Sequence, residues 1–181
     1  MFRLLILLLG VFLFSNAFFA SASLHSFSQL SSTQLLAQAQ GGEWYPCSEN
    51  DDPKWCRDGF SYYQQSYYAE LTNDSNGMSL TLYEPYSQYA LSEFQLNLRR
   101  DGFQLECVTI DTHTFQVAQA LAEAETQAEI NDLDKQLVLF LNRYQQHAPR
   151  VMEWFSERWK ATLISDGEMI SIEFVESEVA H

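Results

Sequence analysis

The stretch from Phe115 to Tyr144 reads FQVAQALAEAETQAEINDLDKQLVLFLNRY. Val117, Leu121, Ala124 and Ala128 recur at steps of three and four; Ile130, Leu133, Leu137, Phe140, Leu141 and Tyr144 carry the stripe onward. This spacing predicts a long helix with one buried face, which needs a partner surface. Acids early (Glu123, Glu125, Glu129, Asp132, Asp134) and bases later (Lys135, Arg143) agree with the helix dipole. Asp111 to Thr114 offers N-capping groups, and a break is expected near Asn131-Asp132 because so long a helix is unusual in a small domain.

Both flanks offer β-hairpins as that partner. An Asp101-Gly102 turn would set Leu98 opposite Leu105, Leu96 opposite Cys107 and Phe94 opposite Thr109. A helix from Ser87 to Arg100, ended by Gly102, is the rival reading, since Leu91, Phe94 and Leu98 also fit the helical period. An Asp166-Gly167 turn would pair Leu163 with Ile170, Ala161 with Ile172 and Trp159 with Phe174, leaving Thr162 on Ser171 and Lys160 on Glu173. Met78, Leu80 and Leu82 alternate with polar neighbours and predict a further strand, preceded by a turn at Asn73–Gly77 and stopped by Pro85. Pro149 suits the first turn of a second helix, with Met152, Phe155 and Trp159 as its apolar face.

The expected fold class is therefore α+β. It is an antiparallel sheet of about five strands, with one long helix, broken or continuous, and a second helix packed on one face.

Residues 1–22 carry the marks of a signal peptide: Arg3, the apolar run from Leu4 to Phe14, and the Ala20-Ser21-Ala22 cleavage site. A retained membrane anchor is the alternative, opposed by Ser15 and Asn16, which interrupt the run. Residues 23–42, rich in Ser, Gln and Ala, read as a flexible lead-in or a weak helix at Leu30 to Gln38. A single domain then spans 43–176, and 177–181 is expected to fray. The protein is read as exported, periplasmic or secreted, with no membrane span after signal cleavage.

The chain carries a formal charge of −14, and losing Arg3 with the leader would make it −15. An acid excess of this size opposes nucleic acid and anionic lipid and favours a basic partner. Cys47 and Cys56 enclose a short polar loop and read as a disulfide in an oxidising compartment, while Cys107 reads as a buried strand residue.

No G-x-S-x-G, P-loop, G-x-G-x-x-G, H-E-x-x-H, C-x-x-C or complete EF-hand loop is present. Weaker constellations are Asp111 and His113 with Cys107 as metal ligands, Cys107 as a nucleophile with His113 or His147, and Glu125, Glu129 and Asp132 on one helical face. Asn73-Asp74-Ser75 fits a glycosylation sequon. No cofactor and no metal is assigned.

The densest feature is aromatic: Trp44, Tyr45, Trp55, Phe60, Tyr62, Tyr63, Tyr67 and Tyr68. Tyr67, Ala69 and Leu71 alternate as a strand, but the segment Asp58 to Leu71 is read here as helical or irregular cover. Flat rings meet peptide side chains and sugars, so Trp44, Tyr45, Trp55, Tyr62, Tyr63, Tyr67 and Tyr68 are the candidate binding residues. The expected function is a non-catalytic binding or accessory protein for a protein, peptide or glycan, contacted through this segment or through the acidic helix face. The alternative is a small extracytoplasmic hydrolase using carboxylates or His113.

Overall fold

Period-two alternation governs more of this chain than its helical stripes do. The computed structural model describes residues 31–48, 53–75 and 77–177. The expected signal peptide, residues 23–30 of the lead-in and the tail beyond 177 lie outside the described residues.

Among the described residues, nine strands form one antiparallel sheet: β1 (Tyr45–Pro46), β2 (Lys54–Tyr62), β3 (Gln65–Asp74), β4 (Gly77–Pro85), β5 (Gln104–Ile110), β6 (His113–Gln116), β7 (Arg150–Phe155), β8 (Trp159–Ser165) and β9 (Met169–Glu176). Their spatial order is β1-β2-β3-β4-β9-β8-β7-β5-β6. Four short helices accompany them: α1 (Ser32–Gln38), α2 (Gln88–Arg100), α3 (Val117–Glu123) and α4 (Gln127–Leu141). The expected sheet of about five strands with one long helix is thus replaced by a larger sheet and shorter helices.

Directly paired residues share a face, so the register reads out both sides. On one side Ala69, Leu82, Ile172, Leu163, Met152 and Val108 stand opposite one another from β3 to β5, all buried. The next row on that side runs Leu71, Leu80, Phe174, Ala161 and Trp154, also buried. Helix α2 covers this face with Leu91, Phe94 and Leu98; the Phe94 and Tyr67 rings lie 4.8 Å apart. Tyr62 on β2 and Phe174 on β9 lie three strand spacings apart, at least about 14 Å across a flat sheet. Their ring centroids are 5.9 Å apart, so the sheet curls towards its covered face.

Several expectations are corrected here. The segment 88–100 is helical, not a hairpin arm. Ser87 caps it by accepting from the Ala90 amide, and Gly102, at φ 83°, closes it. Gly102 N–H donates to Arg99 O and Phe103 N–H to Leu98 O, the paired bonds that satisfy a helix's last carbonyls around a left-handed residue. The second expected helix after Pro149 is strand β7. Arg150, Met152 and Trp154 face inward, while Phe155 points outward and Trp159 begins β8. The cover expected at 58–71 is β2 and β3, where Tyr67, Ala69 and Leu71 alternate inward across a bulge between Arg57 and Phe60.

The long helix is two helices. Its break falls at Ala124, whose ψ of 119° is extended, and not at Asn131-Asp132. Thr126 opens α4 with a capping box: its side chain accepts from the Glu129 amide, and Glu129 accepts from the Thr126 amide. Of the stripe, Val117, Leu133 and Phe140 are buried and Leu137, Leu141 and Tyr144 pack against the core, but Leu121 and Ala128 are exposed. The stripe is peripheral, not central.

Of the lead-in, residues 32–38 form α1, followed by a π-helical turn at Ala39–Glu43. Leu35 and Ala39 are buried in the main core, so this part of the chain is anchored by packing. The Asp166-Gly167 connection forms, but with register Ser165↔Ile170, Leu163↔Ile172 and Ala161↔Phe174. The pairing is slipped by two residues from expectation, so every side chain keeps its face.

Cys47 and Cys56 are disulfide-bonded, nine positions apart. Closing so short a ring stabilises by about 2–3 kcal/mol on the chain-entropy model. The Cys47→Ser/Cys56→Ser double variant should lose that amount, seen as a lower urea midpoint at an unchanged slope. Among the described residues no helix is long and apolar enough to cross a membrane.

Candidate functional site

On the second face of the sheet one row is largely polar from edge to edge, with the exposed Ile164 and Phe155 in the rows beside it. Tyr45, Cys56, Glu70, Thr81, Glu173, Thr162, Glu153, Cys107 and Gln116 stand opposite one another across all nine strands. With neighbouring strands about 4.8 Å apart, Glu70, Glu173 and Glu153 recur at intervals of about 10 Å.

At one end of this row Glu70 gathers a cluster. Its carboxylate accepts from Tyr68 Oη at 3.3 Å and Tyr83 Oη at 3.0 Å, and pairs with Lys54 Nζ at 2.6 Å. The Tyr68 and Tyr83 rings lie 5.8 Å apart, side by side on paired positions of β3 and β4. Tyr68 Oη also reaches Cys56 Sγ, which seats the ring against the disulfide, and Tyr45 Oη donates to Asp58. Burial first, then the Glu70 carboxylate, pushes the Tyr83 hydroxyl up to about 12; Tyr68 is raised by the same two causes in the same order. Both rings therefore present neutral phenols with electron-rich faces at ordinary pH.

Of the seven expected binding residues, Tyr45 and Tyr68 lie on this exposed face. Trp44, Tyr62 and Tyr67 are buried in the core, and Trp55 and Tyr63 pack against it. Tyr83 joins the cluster although sequence reasoning passed over it; its place beside Thr81 on the outward positions of a well-marked strand was the available signal.

Tyr62 and Tyr63 serve a different arrangement. Tyr62 Oη donates to Asp101 Oδ2 at 2.8 Å, and Tyr63 Oη donates to Asp101 Oδ1. Asp101 is buried at the end of α2, and Arg100 lies over the Tyr63 ring at 5.8 Å. Tyr63 adopts φ 53°, a left-handed backbone uncommon for so bulky a residue, held here by contacts to both its hydroxyl and its ring. The pair locks the β2–β3 turn onto the helix.

No family model, curated protein or solved structure matches the chain.

The remaining constellations do not assemble. His113 pairs with Ile110 and so shares the covered face's parity, whereas Cys107 sits in the polar row opposite; the two cannot converge. Among the described residues no group of three His, Cys, Asp or Glu could hold a metal. Cys107 Sγ donates to Glu153 Oε2 at 3.2 Å, and burial followed by that carboxylate pushes its thiol up to about 11, opposite to what a nucleophile needs. Glu129 is committed to the α4 cap, where the Glu125 and Thr126 amides hold its carboxyl below the usual range.

Proposed function

We propose that this chain is an exported, non-catalytic binding protein that receives a lysine- or arginine-bearing segment of a partner protein on the polar face of its sheet. The supporting observation is the Glu70 cluster: two neutral tyrosine rings flank a carboxylate that a partner cation would share with Lys54, and Glu173 and the Lys160-paired Glu153 continue the row. Ring faces and carboxylates are the two surfaces that attract cationic side chains. The formal charge of −14 adds a long-range attraction for a basic partner. Export rests on the character of residues 1–22 and on the Cys47–Cys56 bond, which suits a compartment where thiols oxidise.

A fluorescein-labelled decapeptide of alternating lysine and arginine, followed by anisotropy, tests this reading. The Tyr68→Leu/Tyr83→Leu variant keeps every charge. Two exposed cation–π contacts contribute about 0.5–1 kcal/mol each, so the variant should bind about 5- to 30-fold more weakly. Asp132→Asn on the exposed surface of α4 is the control for bulk charge and should change affinity by less than about twofold. Equal binding by the tyrosine variant and the native chain would reduce the interaction to net charge and remove the site.

A further inference from the structure

On the covered side of the sheet, away from the tyrosine cluster, a cavity of about 450 Å³ opens between the first half of α2 and the segment linking α4 to β7. Its wall includes Arg150, the first residue of β7. Arg150 is only 7 % exposed, which is unusual for a charged side chain unless it is paired.

Among the described residues, all of its hydrogen bonds go to backbone carbonyls. Nε donates to Ala148 O at 3.2 Å, and Nη2 donates to Gln145 O at 3.0 Å and Gln146 O at 2.7 Å. Among the described residues Nη1 makes none, and no carboxylate lies within ion-pair distance of the guanidinium. Carbonyl dipoles orient the group but leave its unit charge uncompensated, and a guanidinium does not shed its proton in proteins. Burial draws its pKa below the ordinary value, so the charge is held there at a cost. In a chain with 24 acidic residues, the buried cation is left to face a cavity.

The rest of the wall describes what would fit. The partly buried Leu141 and Tyr144 supply its apolar wall, above the fully packed Leu91 and Met152, and Gln88, Gln95 and Asn142 line the rest. The volume lies within the range of small-molecule sites, and the lining is more polar than apolar. One free guanidinium edge among neutral amides balances a single negative charge. A dianionic phosphate would keep an unpaired charge in a site that offers no second cation.

We infer that this cavity is a binding site for a small organic monocarboxylate, its carboxylate on Arg150 Nη1 and its apolar body against Leu141 and Tyr144.

The test uses the full chain with its disulfide intact and two fluorinated probes, 4-fluorobenzoate and 6-fluorohexanoate, each compared with its neutral amide by ¹⁹F line broadening. At least one carboxylate should bind saturably and about tenfold or more tighter than its amide, the gain expected of a charge-assisted hydrogen bond. Ser92→Phe places a ring in the cavity from an exposed helix position, so it should abolish the response without lowering the melting temperature. Arg150→Lys keeps the charge but loses the planar fork and should weaken the carboxylate while leaving the amide unchanged. The inference is overturned if neither carboxylate outbinds its amide, or if the preference survives Ser92→Phe in a folded protein.

Discussion

Raising the pH above 10 should unfold this protein steeply. Burial is the first cause raising the hydroxyls of Tyr62 and Tyr67 far above the ordinary tyrosine value; Asp101 adds to it for Tyr62, and Glu84 and Glu93 for Tyr67. In the unfolded chain both ionise near pH 10. The native state therefore holds more protons than the unfolded state above that pH, and stability falls as pH rises. It is fully present below pH 10 and lost progressively between the unfolded and folded values. Two buried groups give a slope of about 3 kcal/mol per pH unit, so about 4 kcal/mol should be gone by pH 11.5. That is comparable with the whole stability of a marginal domain. Far-UV circular dichroism and tyrosinate absorbance should change in one cooperative step. Tyr67→Phe should leave stability at pH 7 nearly unchanged and reduce the alkaline slope by about 1.4 kcal/mol per pH unit. A smooth rise to the full absorbance of nine tyrosines with the dichroism unchanged would show that these hydroxyls are not sequestered.

The strands that could be read were those whose alternation had no helical competitor. Met78, Leu80 and Leu82 define β4 without ambiguity, and the β8–β9 ribbon keeps its faces despite a register error. That error has a local cause. Asp166 Oδ1 accepts from the amides of Glu168 and Met169, building a four-residue connection where a two-residue turn was expected. Where apolar residues fit both periods, spacing alone does not separate helix from strand. Met152, Phe155 and Trp159 match a helix by spacing, yet Met152 and Trp159 are buried while Phe155 is exposed. Two cap signals would have corrected the rest: Ser87 ahead of Ala90 for α2, and the Thr126–Glu129 box for the break before α4. The aromatic crowding between Trp44 and Tyr68 was informative about place but not about role. Most of those rings build the core because β2 and β3 turn them inward, and only pairing across strands shows that Tyr68 meets Tyr83 and Glu70.

Replacing Asp101 distinguishes a helix-end residue from a tertiary lock by the sign of the effect. A carboxylate at the last turn of a helix faces the negative end of the dipole. On that ground alone Asp101→Ala should stabilise by about 0.3–1 kcal/mol. The structure argues for the reverse, because Asp101 accepts from Tyr62 and Tyr63, and Tyr62 is completely buried. Hydrogen bonds to a charged acceptor contribute about 1.5–3 kcal/mol each, and a buried hydroxyl left without its acceptor adds its own desolvation cost. Asp101→Ala should therefore destabilise by about 3–5 kcal/mol, measured as the shift in urea midpoint at constant slope. Tyr62→Phe should cost about 1.5–3 kcal/mol alone, and the double variant should cost less than the two together by a similar amount. Asp101→Asn keeps one acceptor oxygen and should fall between the native chain and the alanine variant. Strict additivity of Asp101→Ala and Tyr62→Phe would mean that the buried hydroxyl and the carboxylate do not depend on each other. The curl of the sheet around α2 would then have to rest on apolar contacts such as Tyr62 on Phe174 and Tyr67 on Phe94.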